Sequence, residues 1–155
     1  MPQVVAGQGT DLTKSVAELV RDLLYNNWPT TGYDVLRDDM SFGLGTWDDY
    51  GDIDIHVNAI AGTSEPYVLG WSYSKITDPV VIRVFYRKNS EEIPPELSKV
   101  QRKAEEIVKD NLASLGQGIT MLRWDGWSDI IEAENLNDVW VANGTATAIY
   151  WRVKV

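Results

Sequence analysis

Residues 80–87 read VVIRVFYR, the strongest strand-forming run in a chain of 155 residues. Because β-branched and aromatic side chains favour the extended backbone, this run predicts a strand that Asp78-Pro79 opens. Residues 52–59 read DIDIHVNA and alternate polar with apolar side chains. A period of two places successive side chains on opposite faces, which predicts a half-buried strand. Residues 67–73 alternate in the same way and predict a further strand.

Two amphipathic helices are predicted, one before these strands in the sequence and one after them. Residues 11–26 place apolar side chains at the 3.6-residue period, with Thr10 or Asp11 as the cap and Trp28-Pro29 as the end. Residues 95–115 carry a second apolar stripe, with a proline at the first helical position and a glycine directly after the last. The opposite face of this second helix is rich in charged side chains and is expected to be solvated.

The C-terminal region is predicted to consist of strands. Residues 119–124 predict a short strand. Asn143-Gly144 is the strongest short hairpin signal in the chain, because both residue types accept the positive φ angles of a type I′ turn. The pair lies between two strand-forming runs at 139–142 and 145–155, so a hairpin is expected there.

Together these elements predict an α+β fold. Short connections imply a single domain with a mostly antiparallel β-sheet and two α-helices packed on one face. Residues 1–10 are expected to form a flexible N-terminal arm and residues 11–155 the domain. Seven tryptophans are unusual for this length. They indicate either a Trp-rich core or self-association, since aromatic side chains are enriched at the centres of interfaces.

The composition excludes several classes of function. The chain has no cysteine and one histidine, which excludes zinc fingers, iron–sulfur clusters, thiol catalysis and multi-histidine metal sites. A net charge of −9 argues against a general nucleic-acid-binding surface, which needs clustered Lys and Arg. No segment approaches the roughly 18–20 apolar residues of a membrane span, and no secretory signal is recognisable at the N-terminus. A cytosol-like compartment is therefore expected.

The negative charge is concentrated in the first sixty residues, which carry ten acidic and three basic side chains. Its densest part is the segment 37–54, which also contains three glycines and is expected to be mostly a loop. This segment contains the acidic loop, which is defined by the four aspartates Asp38, Asp39, Asp48 and Asp49.

Asp52, Asp54 and His56 are the strongest candidates for chemistry. A strand would place all three on one face, with about 6.5–7 Å between successive members. Two such carboxylates suit a divalent cation such as Mg²⁺. The preceding segment 42–45 resembles the loop before the Asp-x-Asp strand of nucleotidyltransferases, although Leu44 stands where that family has serine. The other interpretation is that the three side chains form the solvent-facing side of an amphipathic strand.

The order of elements shows a second resemblance, which covers most of residues 12–155. A helix ends at a tryptophan (16–28), a strand reads DIDIHV (52–57), and a β-rich stretch closes in VIRVFYR (81–87). A long charged helix follows (99–109), and a strand pair ends with TAIYWRV (147–153). This pattern is similar to that of the tail-terminator and tail-completion proteins of tailed viruses of bacteria and archaea, which are single α+β domains of this size.

The resemblance implies a structural virion protein and not an enzyme. It implies a ring, usually of six copies, that caps the tail tube and joins it to the neck and head. The chain would be made in the host cytoplasm and reside in the virion tail. Its partners would be itself, the tail-tube protein and a neck or head-completion protein, with no cofactor and no membrane. The alternatives are a Mg²⁺-dependent nucleotidyltransferase-like enzyme that uses Asp52 and Asp54, and a small binding module.

The acidic loop has a place in such a ring. DNA would pass through the channel without specific binding. Because walls of like charge keep DNA from adhering, Asp38, Asp39, Asp48 and Asp49 are expected to line that channel.

Overall fold

The computed structural model describes residues 15–45, 52–60, 62–66, 73–87, 92–110, 119–128, 130–132 and 139–153. These residues form two helices and seven strands. In chain order the elements are α1 (Val16–Asn27), β1 (Ser41–Leu44), β2 (Ile53–Ala59), β3 (Thr63–Pro66), β4 (Tyr73–Arg87), α2 (Pro95–Asp110), β5 (Ile119–Trp127), β6 (Ile131–Glu132) and β7 (Val139–Val153).

The centre of the sheet is a ladder between β4 and β7, which pair antiparallel over 15 residues each. The strand order is β1-β2-β4-β7-β5, with β3 beside β4 and β6 beside β7. β1 and β2 are parallel, and the other described pairs are antiparallel. The described residues therefore confirm the predicted α+β fold, with a mostly antiparallel sheet and two helices packed against it.

The main core lies between the helices and one face of the sheet. Alternate residues of the central strands are buried there, so the predicted period of two is confirmed on that face. They pack against the apolar stripes of α1 and α2. The largest fully buried side chains include Leu24, Ile55, Ile82, Leu97 and Leu122.

The first helix begins later than predicted. Ser15 is its N-cap, with an extended backbone and a hydroxyl that accepts a hydrogen bond from the Glu18 N–H at 3.2 Å. This bond satisfies one of the free N–H groups of the first turn. The prediction of a cap at Thr10 or Asp11 is therefore wrong for α1, because the helix does not continue through the extended Ser15.

The second helix begins at Pro95, as predicted, and buries the predicted apolar stripe against the sheet. Its first turn is tied to β4 because the Tyr86 hydroxyl donates a hydrogen bond to the Glu96 carboxylate. Burial and this carboxylate raise the pKa of Tyr86 to about 12. Residues 111–115, which were predicted to continue the helix, lie outside the described residues.

The strand predicted at 80–87 is longer than expected, because β4 runs through Pro79 instead of starting after it. A proline cannot donate a backbone hydrogen bond and is normally excluded from central strands. Pro79 pairs with Thr147 of β7 on one side. On its other side it lies in the gap between β2, which ends opposite Val80, and β3, which begins opposite Thr77. The Pro79 carbonyl still accepts a hydrogen bond from the Ile60 N–H at 2.9 Å.

The hairpin predicted at Asn143-Gly144 is wrong, because β7 is one continuous strand. Asn143 pairs with Arg83 of β4, and its side-chain oxygen accepts a hydrogen bond from the Arg83 Nε at 3.2 Å. Gly144 leaves space for two aromatic rings, because a Cβ there would lie 2.6 Å from the Trp124 ring and 2.8 Å from the Trp127 ring. Close approach of two tryptophans, and not a turn, requires this glycine.

One further predicted strand lies within the described residues, and two predicted segments lie largely outside them. The strand predicted at 119–124 is present and extends to Trp127. The strand predicted at 67–73 lies outside the described residues except for Tyr73, and so does the arm predicted at 1–10. Of the helices in the described residues, none is both long enough and apolar enough to cross a membrane.

Candidate functional site

Asp54 and His56 lie on the sheet face opposite the helices and are buried there. Asp54 is 0% exposed and His56 is 1% exposed. The interpretation of this strand as half-solvated, with a solvent-facing His56, is therefore wrong. The physical reason is a second apolar cluster of Phe85, Val139 and Val141. Phe85 pairs in register with both Asp54 and Val141, so this cluster and the two polar side chains occupy the same face.

The imidazole of His56 is held between an aromatic ring and a strand backbone. The rings of His56 and Phe85 meet edge to face, with centroids 5.4 Å apart. On the other side, a Cβ added to Gly43 of β1 would lie 3.1 Å from the His56 ring. A side chain at residue 43 would therefore require the His56 ring to shift by a few tenths of an ångström.

Gly43→Ala is expected to lower the free energy of unfolding by about 1 kcal/mol, because the packed imidazole must give way to the added methyl group. Urea unfolding followed by circular dichroism measures the change. Ser41→Ala, two residues earlier on the same strand, is the control and should change stability by less. An unchanged unfolding midpoint for Gly43→Ala would show that the His56 ring is not held as described.

Asp52 does not join Asp54 and His56 in one closed site. Its carboxylate is 84% exposed and forms an ion pair with the Arg87 guanidinium at 3.2 Å. Within the described parts of the chain, no three His, Cys, Asp or Glu side chains are grouped so that they could hold a metal ion. The three candidates for a Mg²⁺ site are therefore separated into one exposed ion pair and two buried side chains.

The acidic loop is partly ordered as a turn followed by a strand. Asp38 and Asp39 are exposed in a 3-10 turn at Arg37–Asp39, and β1 follows directly after it. Sequence reasoning missed β1, because its Gly43 and the neighbouring Gly45 indicated a loop. The signal that predicts it is the alternation of Phe42 and Leu44 with smaller residues. Asp48 and Asp49 lie outside the described residues.

An aromatic cluster joins β1 to the C-terminal end of α1. The ring of Phe42 meets the Tyr25 ring edge-on at 5.5 Å and the Trp28 ring at 5.7 Å between centroids. The Trp28 Nε1 donates a hydrogen bond to the Val35 carbonyl at 3.0 Å. The Arg37 guanidinium lies 4.5 Å from the centroid of the Tyr25 ring, a cation–π distance. These contacts fix the position of β1 at the edge of the sheet.

The aromatic cluster continues onto the surface. Tyr25 is 44% exposed and Leu44 is 37% exposed, so both leave apolar surface in solvent beside the exposed Asp38 and Asp39. A surface that combines apolar side chains, carboxylates and an edge strand suits contact with a protein. No protein-family model and no curated protein matches the chain.

Proposed function

We propose that the chain is a structural virion protein of the tail-terminator type. It assembles as a closed ring of identical copies, in the manner of a hexamer, caps the tail tube and joins the tube to the neck and head. It performs no catalysis, requires no cofactor, and lets DNA pass without binding it specifically. The proposal rests on the resemblance in element order, apart from the C-terminal strand pair, which is the single strand β7, and on exposed apolar side chains at the two ends of the sheet.

Of the six exposed large apolar side chains among the described residues, four lie at the two ends of the strand order and support a ring, whereas Ile60 and Ile93 lie elsewhere. Tyr25 and Leu44 lie on the β1 side, at one end of the strand order. Met121, 40% exposed, and Ile131, 51% exposed, lie on the β5 and β6 side at the other end. The two surfaces differ in sequence and structure. Head-to-tail contact between unlike surfaces is the arrangement that closes into a ring.

Charge supports the same proposal in a second way. The net charge is −9, and Asp38, Asp39 and Asp52 are exposed within the acidic segment 37–54. A protein that grips DNA needs the opposite sign. A protein that surrounds moving DNA benefits from a repulsive wall.

The metal-dependent enzyme is the weaker candidate, because the described structure does not favour its site. Asp54 is fully buried, whereas Asp52 is exposed and paired with Arg87. We therefore propose one function only. Asp54 and His56 are assigned a structural role on the sheet face opposite the helices.

Tube growth in vitro tests the proposed function. The tail-tube protein of the same virus is allowed to polymerise with and without this chain, and tube lengths are measured by electron microscopy. The proposal expects tubes that stop growing when the chain is present. Identical length distributions in both reactions would remove the proposal.

Charge reversal of the acidic loop is expected to impair particle maturation. Replacing Asp38, Asp39, Asp48 and Asp49 with lysine would turn a repulsive wall into one that holds phosphates. The measurement is the infectivity of particles that carry the variant, together with their content of packaged DNA. Glu105→Lys with Glu106→Lys on α2 is the charge-matched control for the double variant Asp38→Lys with Asp39→Lys, since each pair replaces two carboxylates with two ammonium groups. Wild-type infectivity of the loop variant would contradict a role in lining the channel.

A further inference from the structure

The edge strand β1 is open to pairing with another strand. It contains no charged residue, no proline and no bulge, and no described residue pairs with its outer edge. Leu44 at its end is 37% exposed and the neighbouring Tyr25 is 44% exposed, so the surface beside the edge is in contact with solvent. Natural proteins usually guard such an edge, because its unpaired backbone groups are a template for a further strand.

The backbone groups of Phe42 and Leu44 point to the open edge. The Gly45 N–H points the other way and donates to the Val57 carbonyl of β2 at 3.2 Å. Because backbone groups alternate in direction along a strand, those of Gly43 also face β2, and those of Phe42 and Leu44 face outward. The edge therefore offers an N–H and a carbonyl at each of two positions, two residues apart.

This arrangement is complementary to itself. When two copies of β1 run antiparallel with Gly43 opposite Gly43, Phe42 of each copy lies opposite Leu44 of the other. Opposed residues whose backbone groups face one another exchange both N–H···O bonds, so each of these pairs is fully bonded. Gly43 has no side chain that would separate the strands at the centre of the contact. A second copy of this chain therefore satisfies the open edge completely.

The side chains agree with the same register. Phe42 and Leu44 lie on one face of β1, because their register partners Ile55 and Val57 are both buried in the main core. Antiparallel pairing places the exposed Leu44 of each copy against Phe42 of the other copy. The Phe42 ring already meets the exposed Tyr25 ring at 5.5 Å between centroids. The contact thus covers an apolar surface on each copy that is otherwise in solvent.

Charge favours the antiparallel orientation. Asp38 and Asp39 are exposed directly before β1, and parallel pairing would place them beside the same residues of the second copy. In the antiparallel register the two Ser41 residues are four positions apart, which is about 13 Å at about 3.3 Å per residue. The aspartates lie still further from each other. This separation exceeds the Debye length of about 8 Å, so their repulsion is largely screened.

We propose that β1 of one copy pairs antiparallel with β1 of a second copy, so that the two sheets join across a two-fold axis. Such a contact is isologous and closes with two copies. It involves a short strand and a few apolar side chains, which is less than the roughly 1,200 Å² of a stable interface. The dimer is therefore weak and reversible.

This pairing goes beyond the proposed ring and does not depend on it. A paired copy covers Tyr25 and Leu44, which the proposed ring uses at one end of the sheet. The dimer is then the form of the free chain, and assembly of a ring has to open it. Pairing of the edges keeps the free chain from adding strands of other proteins.

Analytical ultracentrifugation of the free chain tests the pairing. We expect a monomer–dimer equilibrium with a dissociation constant between about 10 µM and 1 mM. Leu44→Lys places a charge on the edge and should raise this constant at least about tenfold. Thr63→Lys adds the same charge at the β3 edge and should leave it unchanged, and circular dichroism checks that both variants fold. A free chain that stays monomeric up to about 1 mM would overturn the pairing, and so would equal effects of the two lysines.

Disulfide trapping tests the register, because the natural chain contains no cysteine. Phe42→Cys and Leu44→Cys proteins with tags of different length are mixed and oxidised. We expect the mixed disulfide in severalfold excess over either homodimer, because residues 42 and 44 are opposed while identical positions are out of register. An excess of homodimers would overturn the antiparallel register. Both measurements are made without tail tubes, so a monomeric chain that still caps tubes would overturn the pairing alone, and a dimer that caps no tubes would contradict the ring alone.

Discussion

Trp28→Ala is expected to lower the free energy of unfolding by about 3–5 kcal/mol. The Trp28 side chain is 2% exposed and packs against Phe42, and its Nε1 donates a hydrogen bond to the Val35 carbonyl at 3.0 Å. Alanine removes the ring and the donor together, which leaves a cavity and a buried carbonyl without that hydrogen bond. Urea unfolding followed by circular dichroism gives the free energy.

Two controls separate the contributions at this position. Trp28→Phe keeps most of the ring and loses the donor, so it should cost about 1–2 kcal/mol. Tyr25→Ala removes a ring that is 44% exposed from the same cluster and should cost less than Trp28→Ala. A cost below about 1 kcal/mol would mean that the cluster does not hold β1 in place.

Gly144→Val is expected to lower the free energy of unfolding by about 1–3 kcal/mol. The first carbon of the new side chain would lie 2.6 Å from the Trp124 ring and 2.8 Å from the Trp127 ring, so both rings must move. The two rings also pack on each other, with centroids 5.0 Å apart. Their displacement should therefore change tryptophan fluorescence as well as the unfolding midpoint.

A double-mutant cycle makes this prediction specific. Trp124→Leu reduces the ring that lies nearest, so Gly144→Val should cost less in that background than in the natural chain. Thr145→Ser, at the adjacent exposed position, keeps the hydroxyl that donates a hydrogen bond to the Gly126 carbonyl. It serves as the control and should change stability by no more than about 0.5 kcal/mol. Equal costs for Gly144→Val in both backgrounds would show that the tryptophans are not the reason for the glycine.

Periodicity predicted the elements that bury one regular face. The apolar stripes of α1 and α2 face the same core as alternate residues of the run at 80–87, so local pattern and tertiary packing agree for them. For the same reason, the α+β class follows from the sequence alone. The boundary at Ser15 was missed because Thr10 and Asp11 offer similar capping chemistry.

Contacts between distant residues explain the predictions that failed. Asn143-Gly144 has the local propensity of a turn, but Arg83 and two tryptophans use the pair inside a strand. Asp54 and His56 alternate like a solvated face, but Phe85 and its neighbours bury them. In each case the decisive partner lies more than 15 residues away along the chain. A single sequence does not contain that pairing.

The candidate surface was predictable only in part. The charge of the segment 37–54 is visible in the sequence, and the structure adds that Asp38 and Asp39 are exposed. The edge position of β1 depends on its parallel pairing with β2, which has no local signal.

The proposed function requires this chain to form a closed ring at the end of a tail tube. Electron microscopy of tubes assembled from the tube protein of the same virus, with this chain added in excess, tests the ring most directly. A closed ring predicts additional density at one end of each tube, with rotational symmetry around an open channel when viewed along the axis. Bare tube ends, or density without a channel, would contradict it.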